Sequence, residues 1–233
     1  HWPTLGRKDG CAGMSLVVCI ETAAPAPVFV MGDDDKVLFA DAPSGRIEGP
    51  IYLRDKVLEA LGANGRDRSE IDYLAVDLGP GGLTATRSGV TFANALAYGL
   101  GKPLISLGYF DLVGAESRQA FGNPVLCVRE TTDGDAFTMV LDEKGHGPLK
   151  FGNLEERCRE LCQAFECITL AGVVKPTVEA HFDGKSRYRI GSRVPRPETL
   201  LRHALAKIER GDTSVSPFEP VTSESPGIVL GKG

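Results

Sequence analysis

The chain has 233 residues, of which 42% are hydrophobic and 24% are charged, and its formal net charge is -5. This balance is typical of a globular protein and excludes an intrinsically disordered chain. It also argues against a protein that wraps nucleic acid by itself, because that mode of binding needs a broad excess of Lys and Arg. The apolar runs are short or interrupted by polar residues and proline, so the sequence predicts no membrane-spanning segment.

The first thirteen residues, HWPTLGRKDGCAG, contain no apolar stretch of the kind found in secretory signals. Because Met14 resembles a natural start, we interpret residues 1–13 as an N-terminal extension or tag remnant. The six cysteines form no disulfide framework, which indicates reduced thiols and a cytoplasmic protein. Cys158 and Cys162 share a helical face with Leu161, a spacing that favours buried core thiols over a zinc site.

In chain order, the first half predicts three strands followed by alternating helices and strands. The short β-rich runs LVVCIET, APVFVM and KVLFADA are separated by turns, as in an antiparallel meander. The segment IYLRDKVLEALG has apolar residues at helical spacing and ends at Gly62. IDYLAVDLG is apolar enough for a strand covered on both faces, and the helix after Thr84 ends near Gly101. PLISLG resumes the sheet, and YFDLVGAESRQAF forms the next helix.

The second half begins again with strands, PVLCVRET and DAFTMVLD, followed by a loop around EKGHGP. A helix near Leu154 to Phe165, the short strands CITLAG and YRIG, and the helix PETLLRHALAKIER come next. The tail is rich in Pro, Ser and Gly and is expected to pack as extended coil or to remain mobile. We therefore predict an α/β protein with an N-terminal lobe over residues 14–120 and a C-terminal lobe over residues 121–233.

A glycine-rich turn, GPGG, joins the strand that ends near Asp77 to a long helix of small residues. Gly79, Gly81 and Gly82 let the backbone approach a ligand closely, and the helix that follows offers unpaired N–H groups to a phosphate. However, the pattern is neither GxxxxGKS/T nor GxGxxG, and no Lys follows where a phosphate-binding loop needs one. The residues favour a structural turn, with a direct phosphate site as the alternative.

The helix after this turn has one nearly flat face, because Gly89, Ala93 and Ala97 recur every four residues. A flat face permits the close approach of another helix. The alternative is that the face packs on the chain's own sheet. The residues by themselves leave both possibilities open.

Candidates for catalysis are few. The four histidines show no HxxxH or HExxH spacing and no GxSxG motif is present, which disfavours a zinc protease and a serine hydrolase. Glu21 and Asp77 stand at the ends of adjacent predicted strands and could hold a hydrated magnesium ion. The simpler interpretation is that both carboxylates cap turns and face water.

The segment GPGGLTATRSGVTFANALAYGLGKPLISL resembles the GPGSFTGVRIG…GLA.GLGIPL signature of the bacterial YeaZ/TsaB family. The residues in register with it are Gly79, Pro80, Gly81, Thr84, Arg87, Gly89 and Ala93. Upstream, LVVCIETAAPAPVFVMGDDDKVL resembles the opening hairpin of that family, and IEGPIYLRDKVLEALGANGRDRSEIDYLAVDLGPG resembles its first helix and second strand. The likeness covers Leu16 to about Ala115 well and the remainder weakly.

The resemblance implies the fold of the actin, sugar-kinase and heat-shock ATPase superfamily, with two lobes that each contain a five-stranded mixed sheet flanked by helices, the second lobe being reduced. It also implies a non-catalytic, glycoprotease-like subunit that is no protease. Such a subunit binds a larger, metal-bearing TsaD-type paralogue, which transfers a threonylcarbamoyl group to adenosine 37 of tRNA with the help of a small TsaE-type ATPase. The resemblance further implies a homodimer without these partners, and only indirect contact with tRNA.

Within the family, the helix after the turn and the helix before it form a four-helix bundle with the partner subunit. The partner interface implied here comprises Leu53, Val57, Arg87, Gly89, Ala93 and Ala97. The implied nucleotide or phosphate contacts are Glu21, Thr22, Gly79, Gly81, Gly82 and Thr84. No tightly bound cofactor is implied, and ATP or ADP with magnesium at a complex interface is the alternative.

Some residues depart from the family pattern. Glu21 stands where the family usually has Asp, and Ala23 replaces a small hydroxyl residue. RETTDGDAF replaces the DAR.GEVY run, and PFEPVTSES lacks the terminal P.YLR. The HxxxH pair that the catalytic paralogue carries after the stretch matching Leu107–Glu116 is absent from this sequence. A small, divergent ATP-dependent phosphotransferase of the same superfamily therefore stays open as a second hypothesis.

Cations alternate along the predicted strand near residue 188. Lys185, Arg187 and Arg189 fall on one strand face, and Arg193 and Arg196 follow. Such a face could contact tRNA phosphate or an acidic partner. A solvated strand face is the favoured interpretation, because charged side chains are common on exposed strands.

Overall fold

The computed structural model describes residues 15–41, 50–122, 124–131, 134–184 and 187–222. Within these residues the chain forms two mixed sheets, each flanked by helices, which confirms the predicted α/β fold class. The predicted N-terminal extension, residues 1–13, and the end of the predicted tail lie outside the described residues. No helix in the described part of the chain has both the length and the apolar character that a bilayer crossing requires.

The first sheet contains β1 (Leu16–Glu21), β2 (Val28–Asp33), β3 (Lys36–Asp41), β4 (Ile71–Asp77) and β5 (Leu104–Leu107). Its order is β3-β2-β1-β4-β5. The first three strands pair antiparallel, as the meander pattern predicted, whereas β4 and β5 are parallel to β1. Because Ile20 is aligned with Val76, β1 and β4 end at the same edge of the sheet. Every residue of β1 and β2 is buried.

Two helices of the first half pack on this sheet: α1 (Pro50–Ala63) and α2 (Leu83–Leu100). The apolar stripe of α1 is buried as predicted, since Leu53, Ala60 and Leu61 are at most 5% exposed. α2 ends at Gly101, whose φ of 62° lies in the left-handed region that favours glycine. The two helices also contact each other.

The second half continues with α3 (Tyr109–Phe121), β6 (Val125–Glu130), β7 (Asp135–Asp142), β8 (Gly145–His146), β9 (Lys150–Asn153), α4 (Leu154–Ala164), β10 (Cys167–Val173), α5 (Pro176–Ala180), β11 (Arg187–Ile190) and α6 (Pro197–Glu209). The second sheet has the order β11-β10-β6-β7-β8, with β9 also paired to β7. It thus has six strands where five were predicted. The apolar runs of the sequence predict four of these strands, and the family resemblance implies five. The two strands that no run predicted are β8, which lies in the predicted loop, and β9, which lies between that loop and α4; both pair with the long strand β7.

The boundary between the two halves differs from the predicted one. The first unit takes the described residues up to Leu107 together with Arg196–Pro220. The second unit takes the described residues from Gly108 to Pro195 together with Val221 and Thr222. The prediction placed this boundary at residue 120. It was wrong because α3 packs on β6 and β10 of the second sheet, whereas α6 packs on β1, β2 and β5 of the first sheet.

Part of the tail that follows α6, residues 214–218, packs against β5 and α2 of the first unit. The backbone N–H and C=O groups of Ser214 pair with those of Leu104, and the N–H of Phe218 donates to Asn94 Oδ1. The predicted extended coil is thus confirmed for this part of the tail. The cysteines behave as core residues: Cys158 is fully buried, and Cys162 is partly buried against the same cluster as Leu126 and Leu170.

Candidate functional site

The glycine-rich turn begins at the buried end of β4. The carboxylate of Asp77 accepts a hydrogen bond of 2.7 Å from the backbone N–H of Gly79. Gly79 has a φ of 105°, a conformation that side-chain-bearing residues rarely adopt. Gly82 is the N-cap residue of α2, and Thr84 in the first turn of the helix is exposed. The sequence GPGG therefore fixes the direction in which α2 leaves the sheet.

The space beside Gly81 is filled by the chain itself. A Cβ at this position would overlap the backbone of Ala23, which follows β1, and would also press on Thr86 Oγ1. Close backbone approach is one of the reasons for which glycine is required. Here the approaching group is the turn after β1, which supports the structural interpretation of the GPGG turn.

Glu21 and Asp77 lie at the ends of neighbouring parallel strands, as predicted. Each carboxylate accepts hydrogen bonds from the backbone of its own turn, and in Glu21 the donors are the N–H groups of Ala23 and Ala24. The prediction that they cap turns is confirmed. The prediction that they face water is wrong, because both are fully buried, and backbone N–H groups donate to one oxygen of each carboxylate.

Around these carboxylates the described residues form no cluster of metal-ligating side chains. In the described residues, no group of three or more His, Cys, Asp or Glu side chains is placed to hold a metal ion. The other predicted nucleotide contacts differ in burial: Thr22 is buried, whereas Gly81 and Gly82 are half-buried. Their contact with a nucleotide stays a prediction.

The flat face of α2 packs on the chain's own sheet. A Cβ on Gly89 would overlap Thr22 Oγ1, and Ala93 and Ala97 are fully buried. The small residues let α2 lie close to β1 and β4. Three residues of the predicted partner interface, Gly89, Ala93 and Ala97, are thus buried within the chain and are not on its surface.

The remaining predicted interface residues divide in the same way. Leu53 and Val57 of α1 are buried at 1% and 5% exposure, so they too are core residues rather than interface residues. Arg87 of α2 is exposed. Five of the six predicted interface residues thus lie on the faces of α1 and α2 that the chain itself covers, and a partner interface on these helices stays a prediction.

The surface of α2 that is open to a partner is the opposite one. We define the α2 outer face as the exposed residues Thr84, Arg87, Thr91, Ala95 and Tyr98. Their spacing of three or four residues gives a continuous stripe along the helix. Tyr98 is 59% exposed. Two further exposed apolar side chains are Leu83 at the start of α2, which is 49% exposed, and Leu58 of α1, which is 58% exposed. This regular spacing was visible in the sequence and could have identified the face.

Gly89 gives a direct test of how α2 packs. Glycine inside a helix normally costs about 0.5–1 kcal/mol relative to alanine, so Gly99→Ala, which meets no atom within 4 Å, is expected to stabilise the chain by that amount. Gly89→Ala is expected to destabilise it by about 1–3 kcal/mol, because the new methyl group meets the buried Thr22 side chain. Urea unfolding of both variants measures the two free energies.

A double variant isolates the contact. Thr22→Ala combined with Gly89→Ala is expected to be more stable than the sum of the two single changes by about 1–2 kcal/mol, because the truncated side chain makes room for the methyl group. Equal effects of Gly89→Ala and Gly99→Ala would contradict the packing described here.

Comparison with known proteins finds a likeness in sequence over part of the chain and a likeness in fold over most of it. Residues 53–129 match the family model of TsaD, tRNA N6-adenosine threonylcarbamoyltransferase. Among solved structures, YeaZ from Pseudomonas aeruginosa superimposes with a TM-score of 0.75 at 18% identity, covering 90% of this chain and 100% of that one. The chain has the YeaZ fold. The predicted resemblance to the YeaZ/TsaB family is thereby confirmed.

Two curated relatives match a shorter stretch. The tRNA N6-adenosine threonylcarbamoyltransferase of Moorella thermoacetica is 49% identical over 58 residues, and that of Ralstonia pickettii is 43% identical over 53 residues. These stretches cover 25% and 23% of this chain but only 16% and 15% of the relatives. The matching family model spans α1, the GPGG turn and α2, so the sequence likeness and the candidate site coincide.

Proposed function

We propose that this chain is a non-catalytic scaffold subunit in the synthesis of threonylcarbamoyladenosine in tRNA, and that it binds a TsaD-type catalytic paralogue through the α2 outer face. The YeaZ fold supports this role, as does the match of residues 53–129 to the family model that is described as the transferase. A TsaE-type ATPase is the second expected partner.

The observation that carries the proposal is the composition of the α2 outer face. Of its five residues only Arg87 is charged, and Thr91 and Ala95 leave a shallow surface beside the exposed ring of Tyr98. Interfaces are depleted of charge at their centre and enriched in aromatic residues. One face of α2 is covered by the chain's own sheet, and the opposite face presents this stripe. Such a helix is suited to pack against a partner helix.

Two features support a supporting role rather than a catalytic one. No histidine lies between His1 and His146, so α3 lacks the HxxxH pair of the metal-bearing paralogue. Glu21 and Asp77, the acids on which a phosphotransferase would depend, both accept hydrogen bonds within their own turns. These turn hydrogen bonds favour the scaffold role over the phosphotransferase hypothesis.

The proposal is tested by co-expressing the full chain with the TsaD-type paralogue of the same organism. Size-exclusion chromatography with light scattering is expected to give one peak at the mass of a heterodimer. Addition of the TsaE-type ATPase, an activated threonylcarbamoyl donor and tRNA is expected to give modified tRNA only when this chain is present. Two separate peaks would refute the proposal, and calorimetric binding of ATP with magnesium to the chain alone would revive the phosphotransferase hypothesis.

A further inference from the structure

The second sheet ends in a strand that carries exposed cations. β11 is the last strand in the order β11-β10-β6-β7-β8, so that in the described part of the chain one of its edges has no neighbouring strand. Arg187 and Arg189 are exposed, and Tyr188 between them is half-buried and contacts the ring of Phe182. Residues two apart on a strand lie on the same face, roughly 7 Å apart. The predicted third cation, Lys185, lies outside the described residues.

Two carboxylates lie close to these cations: Asp183 lines a concavity with Arg187, and Glu179 accepts a hydrogen bond from the Tyr188 hydroxyl. Arg187, Arg189 and Arg193 are exposed, and none of them forms an ion pair with another residue that the structure describes. The segment RYRIGSRVPR, residues 187–196, contains four arginines and no Asp or Glu, in a chain whose net charge is -5. We call the segment from Arg187 to Arg193 the arginine edge. It is a local positive strip on an acidic protein.

The backbone of the arginine edge is held in place at its far end. The N–H of Gly191 donates to Leu170 O over 2.8 Å, and the hydroxyl of Ser192 donates to Glu116 over 2.6 Å. The hydroxyl of Tyr109, a fully buried residue, donates to Arg193 O over 2.7 Å. Such a fixed backbone lowers the entropy that is lost when the cations engage a ligand.

A concavity lies beside β11, at the N-terminal part of the arginine edge. It has a volume of about 600 Å³ and is lined by Arg187, Arg189, Tyr188, Cys167, Asp183 and Gly184. Two guanidinium groups beside a concave surface can each donate two parallel hydrogen bonds to a phosphate group. The carboxylate of Asp183 opposes an anion, so the exposed sides of the arginines are the better contact.

We infer that the arginine edge contacts the phosphate backbone of RNA. This inference rests on the proposed function, which makes tRNA the macromolecular substrate of the assembly, and it goes beyond the expectation that tRNA is contacted only through the partners. An acidic protein is the less suitable ligand, because a protein interface needs an apolar or aromatic centre. On β11 the exposed large apolar side chain is Ile190 alone. Phosphate contacts need only accessible cations.

The test uses the full chain and fluorescently labelled bulk tRNA. The variant Arg187→Gln/Arg189→Gln/Arg193→Gln is compared with wild type and with a control, Arg68→Gln/Arg159→Gln/Arg210→Gln, which removes the same charge from exposed sites elsewhere. Fluorescence anisotropy is measured between 50 and 200 mM salt. Since each phosphate contact contributes about 0.7–0.9 to the slope of log K against log salt, the arginine-edge variant is expected to lose a slope of roughly 2–3 and about tenfold to a hundredfold in affinity.

The control variant is expected to bind tRNA as wild type does, and thermal unfolding checks that both variants are folded. An equal loss in both variants, or no salt-dependent binding of tRNA by wild type, overturns the inference. Binding of polyglutamate but not of tRNA, lost with the same three arginines, also overturns it and assigns the surface to an acidic protein. Because heterodimer formation is measured without RNA, failure here is distinguishable from failure of the proposed function.

Discussion

Replacing Ala95 by arginine is expected to abolish binding of the TsaD-type paralogue while the chain stays folded. Ala95 is exposed near the middle of the α2 outer face, between Thr91 and Tyr98. An arginine there would place a long, charged side chain at the centre of an interface, where a desolvated charge without a partner costs several kcal/mol. We expect a loss in affinity of at least about a hundredfold, measured by calorimetry, and light scattering that shows two separate species.

The stability of Ala95→Arg should change by less than about 0.5 kcal/mol, because the site is on the surface and arginine is a good helix former. The matched control is Ala164→Arg, an exposed alanine in the last turn of α4 in the second unit, which should bind the paralogue as wild type does. Wild-type affinity in Ala95→Arg would show that the α2 outer face is not the interface.

Ala93→Arg is expected to unfold the first unit although it lies only two residues away. Ala93 is 0% exposed on the face of α2 that packs on the sheet. Burying a guanidinium group without a partner costs several kcal/mol, and the added volume costs more, against a total stability of about 5–15 kcal/mol for a typical domain. Circular dichroism is expected to show a lost or strongly lowered cooperative thermal transition.

The pair of variants separates two interpretations of the same helix. If the flat face formed the partner interface, Ala93→Arg would melt as wild type does and lose partner binding, and Ala95→Arg would keep it. The structure predicts the reverse for both variants. Urea unfolding of each variant alone, without the paralogue, is the control that distinguishes a damaged interface from a damaged fold.

The sequence was sufficient to predict where most of the helices and strands lie and which of the two each segment forms. Local spacing identified the meander, the buried β4 and the helices α1 and α2, because apolar periodicity reports which residues leave water. It missed β8, β9 and α5, which have two, four and five residues. Elements so short give no measurable period, and the strands exist only because β7 offers its backbone groups for pairing.

The amino-acid sequence by itself thus determined that α2 has a small-residue face, that Glu21 and Asp77 end adjacent strands, and that the chain resembles YeaZ. Only the tertiary structure decided what covers each of these features. Thr22 and the sheet pack against the flat face of α2, and turn N–H groups donate to the two buried carboxylates. The helix α3 belongs to the second unit and α6 to the first, the reverse of what their order in the chain suggests. The physical reason is that periodicity fixes which side of an element is buried, whereas the partner that buries it is set by long-range packing.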